Sequence, residues 1–267
     1  MNTAPWSSPD SSASPRPPTT TMRRSLWLTQ LGHFFFGYRD YLIPFTFLIL
    51  SVTTVPEFPF GSERLDRWLD VVGLVIAGIG QVLRIGVIGF VYIKRGGRNK
   101  QIAADTLVRE GFFAHSRNPL YLGNFLIILG LILIANNRWW YLLALPGFIL
   151  IYTAIIAAEE EFLAKRFGQE YEEYCRHVNR LIPSFTGLWQ SLAPFSFAWK
   201  RVIQKEYGST FAWTSTALFL LIWERWQRIG YAAQSAQIHT LMWGFPMLGA
   251  LYLVARWMKK TGRLGGL

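Results

Sequence analysis

The sequence predicts an all-α, polytopic membrane protein with about six transmembrane helices. Apolar residues make up 51% of the chain and charged residues only 16%, whereas an ordinary soluble domain has about 25% charged residues. The apolar residues collect in six segments, each near the roughly 17 to 25 residues that span a bilayer core. Basic residues lie between these segments instead of forming one face or one tail.

Residues 1–25 precede the apolar segments and are predicted to form a disordered tail. They are rich in proline, serine and threonine and contain no continuous apolar stretch, so they do not match a signal peptide. The rest of the chain is predicted to divide into a membrane core at 26–185 and a C-terminal extension at 186–267. The extension starts with an amphipathic pattern, typical of a helix in the membrane surface, and continues into two further spans.

The six segments differ in how clearly they predict a span, the first and fifth being marginal. Five glycines in the second segment would allow close packing between helices. We place the segments at 41–56, 68–93, 119–136, 139–158, 208–224 and 238–257. The glycines are Gly73, Gly78, Gly80, Gly86 and Gly89.

The distribution of basic residues predicts the orientation in the membrane. Basic residues are concentrated after the second, fourth and sixth segments, so these regions are predicted to be cytoplasmic, with both termini on that side. Arg225 and Arg228 on the opposite side are discordant. The net charge of +11 is interpreted as topology and attraction to anionic lipid, so membrane lipids are expected partners and nucleic acid is not.

Cysteine and histidine usage bears on disulfides and metals. The single cysteine, Cys175, excludes a disulfide within the chain, and no His/Cys pattern has the spacing of metal ligands. No metal is therefore expected.

The third and fourth segments are joined only by residues 136–138, so they are predicted to form an antiparallel hairpin. At about 1.5 Å per helical residue, Pro119 lies roughly 27 Å from the turn, and Glu159 and Glu160 lie roughly 33 Å from it. Both positions reach the same membrane interface. The two carboxylates are therefore expected to meet the polar residues that begin the third segment.

Those polar residues, His115, Arg117, Asn118 and Tyr121, form a dense run before an apolar helix. A guanidinium can bind a carboxylate through paired hydrogen bonds, carboxylates bind ammonium or hydroxyl groups, and aromatic faces attract cations. These properties together suit S-adenosylmethionine, with its amino-acid end, ribose, adenine and sulfonium. Arginine and glutamate at helix ends also serve as simple interfacial anchors, and that alternative stays open.

Two longer patterns carry a family resemblance over roughly residues 68–185. The first reads Gly111-x-Phe113-x-x-x-Arg117-Asn118-Pro119-x-Tyr121-x-Gly123. The second reads Glu159-Glu160-x-x-Leu163-x-x-x-Phe167-Gly168-x-x-Tyr171-x-x-Tyr174, followed by Arg180-Leu181-Ile182-Pro183. In this order they resemble the integral-membrane methyltransferases typified by isoprenylcysteine carboxyl methyltransferase, a superfamily that includes phospholipid N-methyltransferases and small-thiol S-methyltransferases.

The resemblance implies that the two patterns build a site for S-adenosylmethionine on the cytoplasmic side. The commoner first pattern reads Arg-His-Pro, and an asparagine amide can replace a hydrogen bond of that histidine but cannot carry its proton. Arg84 lies where relatives often carry an arginine; otherwise it forms a buried ion pair with a glutamate of the fourth segment. The implied cofactor-binding residues are Gly111, Phe113, Arg117, Asn118, Pro119, Tyr121, Glu159 and Glu160. The candidate catalytic residues are His115, Arg84 and Glu160.

The predicted function is methyl transfer from S-adenosylmethionine to a lipid-like acceptor or to a small thiol, amine or carboxylate. A thiol or amine would need a base, for which His115 or one carboxylate is a candidate. Two alternatives stay open: an NADPH-dependent membrane reductase of the sterol-reductase type, which requires no glycine-rich dinucleotide turn, and a non-catalytic lipid-binding protein. The sequence assigns no oligomeric state.

Overall fold

The computed structural model describes residues 26–91, 102, 104–229 and 231–264, and they are predominantly helical, with no β-strand among them. The predicted tail at 1–25 and the basic residues at 92–101 lie outside this part of the chain. The all-α prediction is confirmed. The α-helices are α1 (Leu26–Thr53), α2 (Glu63–Phe90), α3 (Pro119–Ala135), α4 (Leu145–Phe167), α5 (Gln169–His177), α6 (Leu188–Leu192), α7 (Trp199–Ile229), α8 (Tyr231–Met242) and α9 (Gly244–Lys260).

The lengths and composition of the helices fit a membrane protein. Within the described ranges, four stretches are long and apolar enough to cross a bilayer: Trp27–Thr53, Glu63–Phe90, Trp140–Phe167 and Ser235–Lys260. Helix α3 is strongly apolar, and its 17 residues are near the lower limit of a span. Helix α7 has 31 residues but carries several charges along its length. The prediction of a helical membrane protein is therefore confirmed, and six crossings stay a prediction.

The first helix begins well before the predicted segment at 41–56. Helix α1 starts at Leu26 and continues through Arg39 and Asp40, the two charges that interrupted the apolar pattern. The continuation is stable because the Arg39 guanidinium donates a 3.2 Å hydrogen bond to Tyr121 Oη of α3. The Arg39 charge, which lies just before the predicted segment, is thus hydrogen-bonded to a neighbouring helix.

Helix α1 packs along α4 in the antiparallel sense. Near the start of α1, a Cβ added at Gly32 would lie 2.1 Å from the Ala154 carbonyl oxygen, so the two backbones are in direct contact. Near its other end, Trp140 Nε1 donates a 3.2 Å hydrogen bond to Thr54 Oγ1. The apolar core around this interface contains Phe47 and Trp140, whose rings meet edge to face at 5.0 Å.

Glycines hold α2 against α3, as the sequence predicted. A Cβ added at Gly73 or at Gly80 would lie 2.6 Å from a carbonyl oxygen of α3. At Gly89 it would meet the Phe197 ring at 2.2 Å, and at Gly86 it would lie 3.1 Å from the Phe112 ring. Gly78 is different, since nothing lies within 4 Å of such an atom. Four of the five glycines are therefore packing positions.

The C-terminal extension packs directly against the core. Helix α7 packs against α2 and α3, and α9 packs along α7. Near the start of α7, Arg201 donates hydrogen bonds of 2.7 Å to the carbonyl oxygens of Ile88 and Gly89. These carbonyl groups belong to the last turn of α2, where a helix has no further N–H groups to bond them. The extension thus completes the C-terminal end of α2 as well as its lateral packing.

Candidate functional site

The loop before α3 is held in place by a glycine and a tyrosine. Gly111 has a φ of +58°, and a Cβ added there would lie 2.3 Å from Val91 Cγ2, so conformation and space both favour glycine. Phe113 is buried, and its carbonyl oxygen accepts a 2.7 Å hydrogen bond from Tyr174 Oη of α5. The two patterns recognised in the sequence are therefore in direct contact through Phe113 and Tyr174.

The segment 179–184 runs beside the same loop and bonds to it repeatedly. The hydrogen bonds are Arg117 N to Asn179 O (2.9 Å), Asn118 Nδ2 to Arg180 O (3.0 Å), Ser116 Oγ to Leu181 O (2.8 Å) and Ser184 N to His115 O (3.1 Å). The Asn118 side chain is buried, and its amide is used to hold this second segment. Pro119 then starts α3, where its missing N–H leaves no bond unmade.

Tyr121 is hydrogen-bonded to a carboxylate and to an arginine. Its Oη donates a 2.6 Å hydrogen bond to Glu159 Oε1 and accepts one of 3.2 Å from Arg39 Nη1. Tyr121 and Glu159 are both buried, at 9% and 8% exposure. Since Glu159 lies on α4 and Arg39 on α1, this chain of three residues joins three helices at one point.

Glu160 lies between two arginines. Arg180 Nε donates a 3.0 Å hydrogen bond to Glu160 Oε1, and Arg117 Nη1 lies 3.5 Å from the same oxygen. Arg117 Nη1 also donates to Cys175 Sγ at 2.8 Å. Burial lowers the pKa of the Arg180 guanidinium from its usual value, and the adjacent charge of Arg117 lowers that pKa further. The cluster thus contains two cations and one carboxylate, an excess of positive charge beside the Tyr121–Glu159 pair.

His115 makes its hydrogen bond to another part of the chain. Its Nε2 lies 2.9 Å from Ser191 Oγ on α6, and the side chain is buried. This bond ties the loop to the short helix of the extension. The structure therefore gives His115 a partner on α6 instead of one of the two carboxylates.

Arg84 has its partner in the extension. Its Nε and Nη2 donate hydrogen bonds of 2.8 and 2.7 Å to the two oxygens of Glu206 on α7, and its Nη1 donates to Asn124 Oδ1 on α3. The alternative that Arg84 pairs with a glutamate of the fourth segment is wrong. The carboxylate comes instead from α7, because that helix lies against α2 at this level.

A groove of about 500 Å³ lies between α1, α3 and α7 beside these residues. Its lining is mostly apolar, from Ile43, Phe47, Ile127, Leu131, Phe219 and similar side chains. Arg39 and Asn124 are also in its wall. Arg39 also donates a hydrogen bond to Tyr121, so this arginine connects the groove to the Tyr121–Glu159 pair.

Four residues around the site were not among the predicted site residues: Arg39, Arg180, Asn124 and Glu206. Arg39 had a usable signal, because an arginine within an apolar helix is functional by default. Arg180 belongs to the second pattern, but the sequence analysis assigned it no role in the site. Glu206 had no signal, since its partner Arg84 is 122 positions away in sequence.

Three carboxylates meet at the opposite end of α2. One oxygen from each of Asp66, Asp70 and Glu224 lies within 4.8 Å of the others. Asn136 Nδ2 donates a 2.8 Å hydrogen bond to Asp66 Oδ1, and Arg225 lies 3.9 Å from Asp70. A His/Cys spacing pattern does not reveal an all-carboxylate group. The contact also accounts for Arg225, which was discordant by charge, because it has an acidic partner there.

The centre of the chain is similar to known proteins. Residues 69–170 match the phospholipid methyltransferase family. A cobalt-zinc-cadmium resistance protein of Cupriavidus metallidurans is 32% identical over 46% of this chain and 56% of its own length. Protein-S-isoprenylcysteine O-methyltransferase of Schizosaccharomyces pombe is 32% identical over 39% of this chain and 45% of its own, and that of Xenopus laevis is 30% identical over 51% and 48%.

These matches confirm the resemblance to the integral-membrane methyltransferase superfamily for the central segment. The chain spans about half the length of the curated relatives it matches. No solved structure matches it. Helix α7, which holds Glu206, lies beyond the segment that matches the family.

Proposed function

We propose, on the premise that residues 69–170 belong to the integral-membrane methyltransferase superfamily, that this protein transfers a methyl group from S-adenosylmethionine. The acceptor is a lipid-like molecule or a small thiol, amine or carboxylate that reaches the cytoplasmic face of the membrane. The names of the isoprenylcysteine O-methyltransferase relatives favour an acceptor with an apolar chain.

One observation carries the proposal: each of the two adjacent glutamates contacts a residue of the first pattern. Glu159 accepts a 2.6 Å hydrogen bond from Tyr121, and Glu160 lies 3.5 Å from Arg117. Simple interfacial anchors would extend toward head groups and water. These side chains are instead directed at one another and are largely buried, which supports a common site.

The chemistry of the cluster fits the methyl donor. Arg117 Nε and Arg180 Nη2 are buried and have no hydrogen-bond partner within the described part of the chain. Two guanidiniums that lie beside the same glutamate, each with a donor to spare, suit the carboxylate of an amino acid. Arg117 and Arg180 would hold that carboxylate, while Glu159 and Tyr121 would receive the ammonium or hydroxyl groups.

The bound donor supplies an already activated sulfonium carbon, so the protein has mainly to align the acceptor and exclude water. Burial of Tyr121, Asn118 and the two glutamates would keep water out of the site. A carboxylate acceptor needs no base. For a thiol or an amine, Glu160 is the nearer candidate to the proposed site, since His115 bonds to Ser191.

Ligand-dependent melting of the detergent-purified protein tests the proposal. S-Adenosylhomocysteine should raise the melting temperature, because a ligand present at 100 times its Kd stabilises the native state by about 2.7 kcal/mol. NADPH at the same concentration is the control and should have no effect. The purified protein is then given a labelled methyl donor with lipid extract, small thiols and prenylated cysteine in parallel. Stabilisation by NADPH alone would point to the reductase instead.

A further inference from the structure

Asn124 is held in a fixed orientation at the edge of the groove. Its side chain is in the groove wall, and its Oδ1 accepts a hydrogen bond from Arg84 Nη1. Arginine has only donors, so it must face the amide oxygen and not the amide nitrogen. The Asn124 Nδ2 group makes no hydrogen bond within the described part of the chain, so an N–H donor remains for a ligand.

Arg84 is itself immobilised by α7. Glu206 binds it through both carboxylate oxygens, at 2.7 and 2.8 Å. Gln81 Nε2 donates a 3.2 Å hydrogen bond to the same glutamate, and Trp213 Nε1 donates one of 2.8 Å to Gln81 Oε1. Such a connected network fixes the amide of Asn124 more firmly than a single contact would.

The groove places this donor near the proposed methyl-transfer site. Asn124 follows Tyr121 by three residues on α3, so the two side chains share one face of the helix and are about 4.5 Å apart along its axis. Arg39, also in the groove wall, bonds to Tyr121 Oη. At this end the groove therefore presents two groups with N–H donors, from Arg39 and Asn124, while most of its remaining lining is apolar.

We propose that Asn124 determines which methyl acceptor the protein takes. The occupant is a single-chain amphiphile whose tail lies in the groove between α1 and α7 and whose head carries a hydrogen-bond-accepting oxygen, as in a carboxylate or carbonyl. The Asn124 amide and Arg39 bind that oxygen, and Arg84 and Glu206 are positioning residues that orient the amide. This inference rests on the proposed function, since it assigns the acceptor end of the same site.

Two probes with one tail and different heads test it: S-farnesylcysteine, whose head has an amine and a carboxylate, and S-farnesylcysteamine, whose head has the same amine and no oxygen. Their Kd values are measured on the full chain by tryptophan fluorescence, without a methyl donor. The unchanged protein should prefer the carboxylate probe by about tenfold, the effect of one charge-assisted hydrogen bond.

Asn124→Asp should reverse the preference. The new carboxylate keeps one oxygen on Arg84 and turns the other toward the groove, where it repels the carboxylate of S-farnesylcysteine, so S-farnesylcysteamine should bind more tightly. Asn124→Leu should reduce the preference to the part that Arg39 supplies, and Glu206→Gln should also reduce it, because Arg84 loses its charged anchor. Thr240→Val, at an exposed site on α8 where the hydroxyl bonds within the helix, is the control and should keep the tenfold ratio.

The inference is overturned if the unchanged protein binds both probes equally or binds neither, or if Asn124→Asp leaves the ratio as it was. S-Adenosylhomocysteine binding and label transfer are measured on the same preparations. A protein that transfers methyl groups without a head-group preference contradicts only the role of Asn124. One that shows the preference and its reversal but binds no methyl donor supports the role of Asn124 as a ligand-binding residue and contradicts the proposed function.

Discussion

Glu159 and Glu160 are adjacent in the chain but serve different partners. Successive residues of a helix point about 100° apart, so Glu159 reaches Tyr121 on α3 while Glu160 reaches Arg180 and Arg117. Glu160 lies between two arginines, whereas Glu159 accepts a hydrogen bond from a tyrosine hydroxyl, so the two carboxylates have different electrostatic surroundings. The pair can therefore bind two different groups of one ligand.

We predict that Arg117→Ala and Glu160→Gln each weaken S-adenosylhomocysteine binding by roughly ten- to a hundredfold. Each change removes a charged contact, and such contacts are worth about 1.5 to 3 kcal/mol. Isothermal titration on detergent-purified protein measures the Kd. Arg256→Ala on α9, where the only described hydrogen bond of the guanidinium is to Tyr252, is the matched control. Unchanged affinity in both site variants would move the donor site elsewhere.

Tyr121→Phe removes only a hydroxyl, and we expect donor affinity to fall by about tenfold. The buried Glu159 carboxylate would lose a 2.6 Å hydrogen bond, and Arg39 would lose its acceptor. Tyr252→Phe, which removes a tyrosine hydroxyl outside the site, is the control. Equal Kd values for Tyr121→Phe and the control would show that the hydroxyl has no part in binding.

Local spacing in the sequence was enough to predict that Glu159 and Glu160 would meet the polar residues that begin the third segment, Tyr121 among them. The turn at 136–138 is short, helices have a fixed rise, and the two groups of residues are therefore brought to the same level. The partner of Arg84 could not be predicted in this way. Glu206 lies on a helix whose position depends on packing across the bundle, and no periodicity in the sequence encodes that packing.

At the level of helices, the α2–α3 interface depends on backbone contact at glycine. Gly80 faces the Gly123 carbonyl oxygen, whereas Gly78 of the same helix faces open space. Gly80 therefore has no room for a side chain, whereas Gly78 does. Because both lie inside the same helix, alanine at each position gives a matched pair of substitutions.

We expect Gly80→Ala to lower the melting temperature in detergent and Gly78→Ala to leave it unchanged or raise it slightly. The first forces a methyl group to within 2.6 Å of a carbonyl oxygen, and such overpacking costs about 1 to 3 kcal/mol. The second gains about 0.5 to 1 kcal/mol from reduced backbone freedom. If both variants melted alike, the close approach of α2 and α3 would be contradicted.

Helix α7 supplies a structural charge to the core, so its removal should be costly. Glu206→Ala leaves Arg84 without its carboxylate, and we expect a loss of about 3 to 5 kcal/mol in the free energy of unfolding. The double variant Arg84→Met with Glu206→Leu should recover most of that loss, since a buried ion pair can be replaced by apolar side chains. Thermal unfolding of the single and double variants decides this, and additive losses would argue against the pair.

For the same reason, a chain ending at Phe185 should not remain monodisperse in detergent. It would lack the α7 face that covers α2 and α3, together with the Arg201 side chain that caps α2. The spans of the extension are interrupted by charge, and the sequence predicts that they contribute no ligand for the methyl donor, which stays a prediction. Those charges are the contacts that attach it to the core, which hydropathy alone does not reveal.

For the whole molecule, we predict six crossings with both termini in the cytoplasm. The long helices that pack together run in opposite directions, as the contacts of α1 with α4 and of α7 with α9 illustrate. Reporter fusions after Arg109 and at the C-terminus should therefore give the same sidedness, with a fusion in the turn at 136–138 as the opposite-side control. Opposite signals from the first two would refute the arrangement.

The Arg84–Glu206 pair also sets a condition on biosynthesis. The two residues are 122 positions apart, so at about 5 to 20 residues per second the carboxylate is made roughly 6 to 24 seconds after the guanidinium. During that interval α2 enters the membrane with an arginine whose insertion costs about 2.5 to 3.5 kcal/mol. Arg84 therefore stays without its carboxylate partner until α7 has been made, and the finished bundle closes only when the last third of the chain has been translated.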